Sequence, residues 1–149
     1  MQSIISNMGT AYYDNVKNAV VFIFKEFSSI YAYRDSLDLA INLALNHKTN
    51  NWLFDKTKFS HAITTEVVME LLDWTKRCCR RLRQHEVYKD CKVSVITSSD
   101  AFTEHFFTML NKQMNEKMTD HTEIAFFKDA KQAEGFLLTG TKSTLYQAG

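Results

Sequence analysis

Ala19-Val-Val-Phe-Ile-Phe24 is an unbroken apolar run of strand length, and its reading decides the fold. Three later runs repeat it: Trp52-Leu-Phe54, Val93-Ser-Val-Ile96 and Ile124-Ala-Phe-Phe127. Each ends in a polar cluster, and each is followed by a stretch with apolar residues at helical spacing. A strand that is apolar throughout is buried on both faces. Such strands alternating with helices build a mostly parallel sheet covered by helices.

Working outward, Thr10 to Asp14 is strand-like, and the polar Asn15-Val-Lys-Asn18 joins it to a strand over Ala19 to Lys25. That link is too short for a parallel crossover, so the first strand is predicted antiparallel to the second. Ser28 and Ser29 cap a helix whose stripe is Ile30, Leu37, Ala40, Ile41 and Ala44. Trp52 to Asp55 is a central strand, and Lys56 to Ile63 a polar loop. Thr64 caps a second helix with the stripe Val68, Leu71, Leu72, Thr75, Cys78, Cys79 and Leu82. Cys91 to Thr97 and Ile124 to Phe127 are strands. A helix lined by Phe102, Phe106, Met109 and Leu110 separates them, and Ala130, Ala133, Phe136 and Leu137 mark a closing helix. The expectation is an α/β fold with a mostly parallel five-stranded sheet, in the order β-β-α-β-α-β-α-β-α. Residues 1–149 form one domain with a core over about 8–138, and the polar tail 139–149 is frayed.

The 149 residues suffice for one domain and one core, and the apolar fraction of 45% excludes a disordered chain. No apolar run approaches the ~20 residues that span a bilayer. Met1-Gln-Ser-Ile-Ile-Ser6 has neither the basic region nor the long apolar stretch of a secretory signal. The reading is a cytoplasmic protein with no transmembrane segment. A net charge of +1 lacks the basic excess of a nucleic-acid binder. Cys78, Cys79 and Cys91 match neither a disulfide framework nor a metal-ligand spacing, so they read as reduced, mostly buried thiols. Proline is absent and glycine occurs four times, so turns fall to Asn, Asp, Ser and Thr.

The candidate sites come from strand ends and helix ends. Thr64 and Thr65 stand at a helix start, where a phosphate meets free N–H groups and the positive helix end; a plain cap is the simpler reading. Asp55, Ser98, Ser99, Asp100 and Asp129 lie at the carboxyl ends of parallel strands, the edge where open α/β sheets gather ligands. Structural capping is preferred for them too, because hard cations need several oxygen ligands. Lys76, Arg77, Arg80, Arg81 and Arg83 form the dense charge cluster. Arg77, Arg80, Arg81 and Gln84 are placed on one face opposite the apolar stripe. The patch suits an anion, an acidic protein or a membrane surface; the preferred reading is a solvated face offsetting the helix dipole. Gly135, Gly140, Lys142 and Ser143 imitate a phosphate-binding loop, but Thr141 displaces the lysine and the segment follows a helix. His47, His61, His85, His105 and His121 fall in no ligand spacing, and no metal or cofactor is implied.

Taken with this element order, Tyr12-Tyr-Asp14, Tyr33-Arg-Asp35 and Asn51-Trp-Leu-Phe-Asp55 resemble the STAS-like superfamily of anti-sigma-factor-antagonist domains and their bacterial relatives, which are distantly similar to CRAL–TRIO lipid-binding domains. The resemblance covers about residues 8–138. It implies a βα superhelix whose neighbouring strands are consecutive in sequence, and a non-enzymatic docking role, in some members switched by phosphorylation. In those members a Ser or Thr opens the helix after the third strand, between an aspartate and a glycine. Here Ile63-Thr64-Thr65-Glu66 lacks both flanking residues.

The function expected is therefore a non-enzymatic regulatory or protein-interaction module that forms a homodimer, with the surplus of sheet aromatics as its docking face if helices cover one face only. The alternative is a binding protein for a small apolar or amphipathic, lipid-like ligand, lined by Met69, Met109, Met114 and Met118. An enzyme is the third reading, and it would use Asp55, Ser99, Asp100 or Asp129.

Overall fold

The computed structural model describes residues 3–59, 65–97, 112 and 121–139. The elements are β1 (Ser3–Ser6), β2 (Gly9–Asp14), β3 (Ala19–Phe24), α1 (Ile30–His47), β4 (Asn51–Lys56), a 3-10 turn (Thr57–Phe59), α2 (Thr65–Gln84), β5 (Cys91–Thr97), β6 (Thr122–Phe127) and α3 (Ala130–Thr139). They form one six-stranded mixed sheet in the order β1-β2-β3-β4-β5-β6. The first two pairings are antiparallel and the remaining three parallel.

The sheet thus has one strand more than the five expected. Ser3–Ser6 pairs with Gly9–Asp14 across the two-residue turn Asn7–Met8. Ile4 packs on the core while Ile5 lies in solvent. This half-buried edge alternation is too short to announce itself in a sequence. The Asn15–Asn18 link is the hairpin turn expected: the Asp14 carboxylate accepts from the Val16 and Lys17 N–H groups at 3.0 and 3.1 Å. The helix expected near Phe102 to Leu110 and the tail 140–149 lie outside the described residues.

Parallel strands need crossovers, and α1 and α2 supply two of them on the same face of the sheet. That face buries Phe22, Phe24, Trp52, Phe54, Val93 and Phe126 beneath Leu37, Ile41, Leu71, Trp74 and Leu82. Trp74 stands edge-on to Trp52, with ring centroids 4.8 Å apart, and its indole N–H donates to the Leu37 carbonyl at 2.9 Å. The other face buries Val21, Leu53, Ala125 and Phe127 beneath Ala133, Phe136 and Leu137 of α3. Helices lie on both faces, so the condition for an exposed aromatic surface is not met and the sheet aromatics fill the core. Phe22, Phe24, Trp52, Phe54, Phe126 and Phe127 are all buried, and only Tyr12 and Tyr13 are half-exposed.

Turn chemistry departs from expectation as well. Among the described residues, three non-glycine residues adopt the left-handed region: Asn18 (φ 49°), Lys48 (φ 50°) and Glu86 (φ 63°). Asn18 is the residue type expected, but Lys48 and Glu86 close α1 and α2 where glycine is usual. The hydrogen bonds they release compensate: Thr49 N–H reaches the Ala44 carbonyl at 3.1 Å, and Val87 N–H the Leu82 carbonyl at 2.8 Å.

Candidate functional site

At the carboxyl edge of the parallel strands, where ligand residues are expected, the two described carboxylates both hold turns and helix starts. The Asp55 carboxylate accepts from the Thr57 N–H and hydroxyl at 3.1 and 2.7 Å, fixing the turn after β4. The Asp129 carboxylate accepts from the Lys131 N–H at 2.7 Å and opens α3. β5 separates their strands, so the two carboxylates are not brought together. Ser98, Ser99, Asp100 and Thr64 lie outside the described residues; Thr65 is the first residue of α2. Gly135 lies inside α3, and the rest of the imitation phosphate loop, Gly140 to Ser143, lies outside the described residues.

Lys56 was read as the first residue of a loop. It is instead the last residue of β4 and is 2% exposed. Strand alternation carries its side chain to the face of Trp52 and Phe54. There its ammonium nitrogen lies 4.5 Å from the Tyr33 ring centroid, 5.6 Å from Phe24, 5.7 Å from Phe59 and 5.9 Å from Phe54, and it donates to the Tyr33 hydroxyl. Ring faces stabilise a cation but do not replace its hydration. Burial therefore lowers the Lys56 pKa to about 7, and the same burial pushes Tyr33 well above the usual phenol range.

The basic cluster does not act as one patch. Arg77 reaches back to α1 and its own helix, donating to Asp38 at 3.1 Å and to the buried Glu70 carboxylate at 3.3 Å. Arg34 of α1 completes a clamp on Glu70. Arg81 donates to Asn42 at 2.9 Å. These two arginines therefore fasten α2 to α1 and leave the solvated face on which they had been placed. Lys76, Arg80 and Arg83 point the other way and remain exposed. Their spacing, with Cys79 between them, puts all four on one helical face. Grouping residues 76, 79, 80 and 83 would have found this from sequence.

That face borders a cleft of about 290 Å³ between the carboxyl half of α2 and the amino ends of β4, β5 and β6. Lys76, Arg80, Arg83, Lys89 and His121 line it, with Val87 and Cys79 deeper, and among its described lining residues none is a carboxylate. Two features shape it. Glu86 turns the chain back at the end of α2, which sets Val87 into the core and brings Lys89 alongside. Asn50, 2% exposed, braces the wall: its amide donates to the Lys89 carbonyl at 3.1 Å and its oxygen accepts from the Trp52 indole at 2.9 Å. His121 Nδ1 lies 3.3 Å from the Asp90 carboxylate at the rim.

The three thiols meet beneath this cleft. Cys78 and Cys91 are buried, as expected, and Cys79 is half-exposed. The Cys79 sulfur receives the Asn50 amide at 3.8 Å and lies 4.0 Å from the Thr122 hydroxyl. The Cys91 thiol, the Asn50 and Thr122 groups and the nearby Arg83 charge outweigh burial and lower the Cys79 pKa to about 6. The facing Cys79 and burial push the Cys91 thiol well up, and burial does the same to Cys78. The site is thus a cationic cleft with a thiolate in its wall. Among the described residues no group of three or more His, Cys, Asp or Glu side chains is arranged to hold a metal ion. None of the described helices is long and apolar enough to cross a membrane. Compared with protein-family models, with curated proteins and with solved structures, the chain matches none.

Proposed function

We propose that this chain is a non-enzymatic binding module that receives an anionic group, a carboxylate or a phosphate, of a partner protein in the cleft at the end of α2. The observation that carries the reading is the cleft itself: four Lys and Arg side chains and His121 line it around Val87, and the carboxylate beside it, Asp90, is paired with His121 at the rim. Charge-assisted hydrogen bonds from such donors are the strong ones, and their field speeds the encounter with an acidic partner. A cleft of about 290 Å³ suits one anionic head rather than a large ligand. The exposed Lys76, Arg80 and Arg83 are free to close on it. The likeness to STAS-like docking domains belongs to the same proposal; the consecutive strand order is what supports it.

Anisotropy titration of labelled acidic and phosphoserine peptides tests the reading. Wild type binds, more weakly as salt rises. Arg80→Glu combined with Arg83→Glu loses binding, while Lys58→Glu, an exposed charge in the 3-10 turn, leaves it unchanged. Equal loss in both variants, or no binding by wild type, ends the proposal. The alternative, an amphipathic small ligand with an anionic head, is favoured by the Val87 floor of the same cleft. Native mass spectrometry of the purified protein distinguishes the two, because only that ligand co-purifies as a bound small molecule.

A further inference from the structure

We propose that Cys79 is a peroxide-reactive thiol and that Cys91 beneath it closes the oxidised sulfur into a reversible Cys79–Cys91 disulfide. The placement rests on sheet register. Cys91 pairs with Thr122 on β6, and on its other side the Lys92 N–H donates to the Asn50 carbonyl at 3.0 Å. Cys91 therefore sits between Asn50 and Thr122. The Cys79 sulfur touches both flanks, at 3.8 and 4.0 Å, and so lies directly over Cys91.

The two sulfurs are unlike in the way that such chemistry requires. Cys79 lines the open cleft, whereas Cys91 is 1% exposed and does not line it. The donors around Cys79 stabilise its thiolate, with a pKa of about 6, while Cys91 keeps its proton. Thiolate character with access marks the attacking cysteine. Cys78 is excluded as the partner: its thiol donates to Asn50 Oδ1 at 3.9 Å, it is fully buried, and adjacent residues of a helix do not face each other.

The co-reactant is a hydroperoxide. The Cys79 thiolate attacks one peroxide oxygen, an S–O bond forms, the O–O bond breaks, and the other oxygen leaves as hydroxide. The Cys91 sulfur then attacks the sulfenic sulfur. An S–S bond forms, the S–O bond breaks, and the departing oxygen takes the Cys91 proton to leave as water. Two thiols are oxidised by two electrons in total, and both peroxide oxygens are reduced. A small-molecule dithiol reverses the reaction by exchange. The closed form would bolt the carboxyl half of α2 to the sheet and remove a negative charge from the cleft. The reaction does not depend on the cleft's binding an anionic partner.

The test uses the full chain, reduced and then treated with hydrogen peroxide, alkylated and peptide-mapped by mass spectrometry. The expected product is an intramolecular Cys79–Cys91 link, two hydrogens lighter and restored by dithiothreitol. In Cys91→Ser the sulfenate stalls, and dimedone labels Cys79. In Cys79→Ser neither the link nor the label forms. Alkylation of wild type by iodoacetamide selects Cys79 and rises through a pH midpoint near 6. A Cys78–Cys79 link, a link only between molecules, or no link in wild type overturns the proposal. The wild-type mapping decides even where a serine variant fails to fold.

Discussion

Lys56 is the residue whose chemistry reaches furthest. It is a fully buried amine with four rings around it, one of them the Tyr33 phenol, and the described contacts give it no carboxylate. Its pKa falls from 10.5 to about 7 on folding, through burial. Below pH 7 both folded and unfolded states hold the proton, and the folded state carries the full desolvation penalty. Between about 7 and 10.5 the unfolded state holds more protons than the folded one, so stability rises with pH, by at most about 1.4 kcal/mol per pH unit. Cys79, whose pKa falls from 9.0 to about 6, adds a rise of the same sign between those values. Thermal melts at pH 7 and 9 are therefore expected to show a higher melting temperature at pH 9. Lys56→Met removes about half of that difference and keeps the Cys79 share. A variant that retains the whole wild-type slope would mean that Lys56 is hydrated. The measurement stops at pH 9, because above it the raised Cys78 and Cys91, and then the raised Tyr33, oppose the trend. The sequence reading ends the strand at Asp55 and misses this residue, although Trp52, Phe54 and Lys56 alternate to one face. The pull of Lys56 toward a loop reading came from its charge, which residue type alone places in water.

At the scale of elements, two backbone positions carry opposite expectations. Gly9 opens β2 at φ 145°, opposite Phe24 in the register, and a Cβ there would stand 2.1 Å from the Ile23 carbonyl oxygen. Gly9→Ala must shift backbone against backbone, and it is expected to cost roughly 1–3 kcal/mol in urea unfolding. Lys48 closes α1 in the left-handed region, at φ 50°. Lys48→Gly relieves that conformation but gives the unfolded chain more freedom, so a net gain of up to about 1 kcal/mol is expected in the same assay. A destabilised Lys48→Gly would show that the lysine side chain, not its backbone, holds the helix end. The α1 and β3–β5 elements were legible because each is long or continuously apolar. β1 was not, because Ser3-Ile-Ile-Ser6 is a short edge segment whose pattern becomes meaningful only beside Gly9–Asp14. The α2 stripe was read one position off at its start: Val67, Glu70 and Trp74 are buried, and Val68 is half-buried. Glu70 is tolerated inside because Arg34 and Arg77 surround it, a fact no single-helix pattern contains.

At the scale of the whole molecule, β1 is the edge of the sheet, pairing with β2 on one side, and Ile5 on it is 76% exposed. Ile5 lies beside Thr10, which lies beside Ile23, itself 43% exposed. An open edge with exposed apolar side chains favours pairing between two copies, and homodimer formation is proposed on that ground. Light scattering behind size-exclusion chromatography is expected to give twice the chain mass for wild type and the single mass for Ile5→Lys. A wild-type monomer at high concentration removes this part. The sequence by itself determined the strands β2 to β6, the helices α1, α2 and α3 and the parallel core, though not β1, because continuous apolar runs and helical spacing are local patterns that water enforces on any chain. Only the tertiary structure decided which charges share a cleft and which fasten helices. It also decided that Cys79 lies over Cys91 and that Lys56 is buried. Those facts depend on groups far apart in sequence meeting across α2 and the strand ends, where the dielectric and the available partners are set by packing.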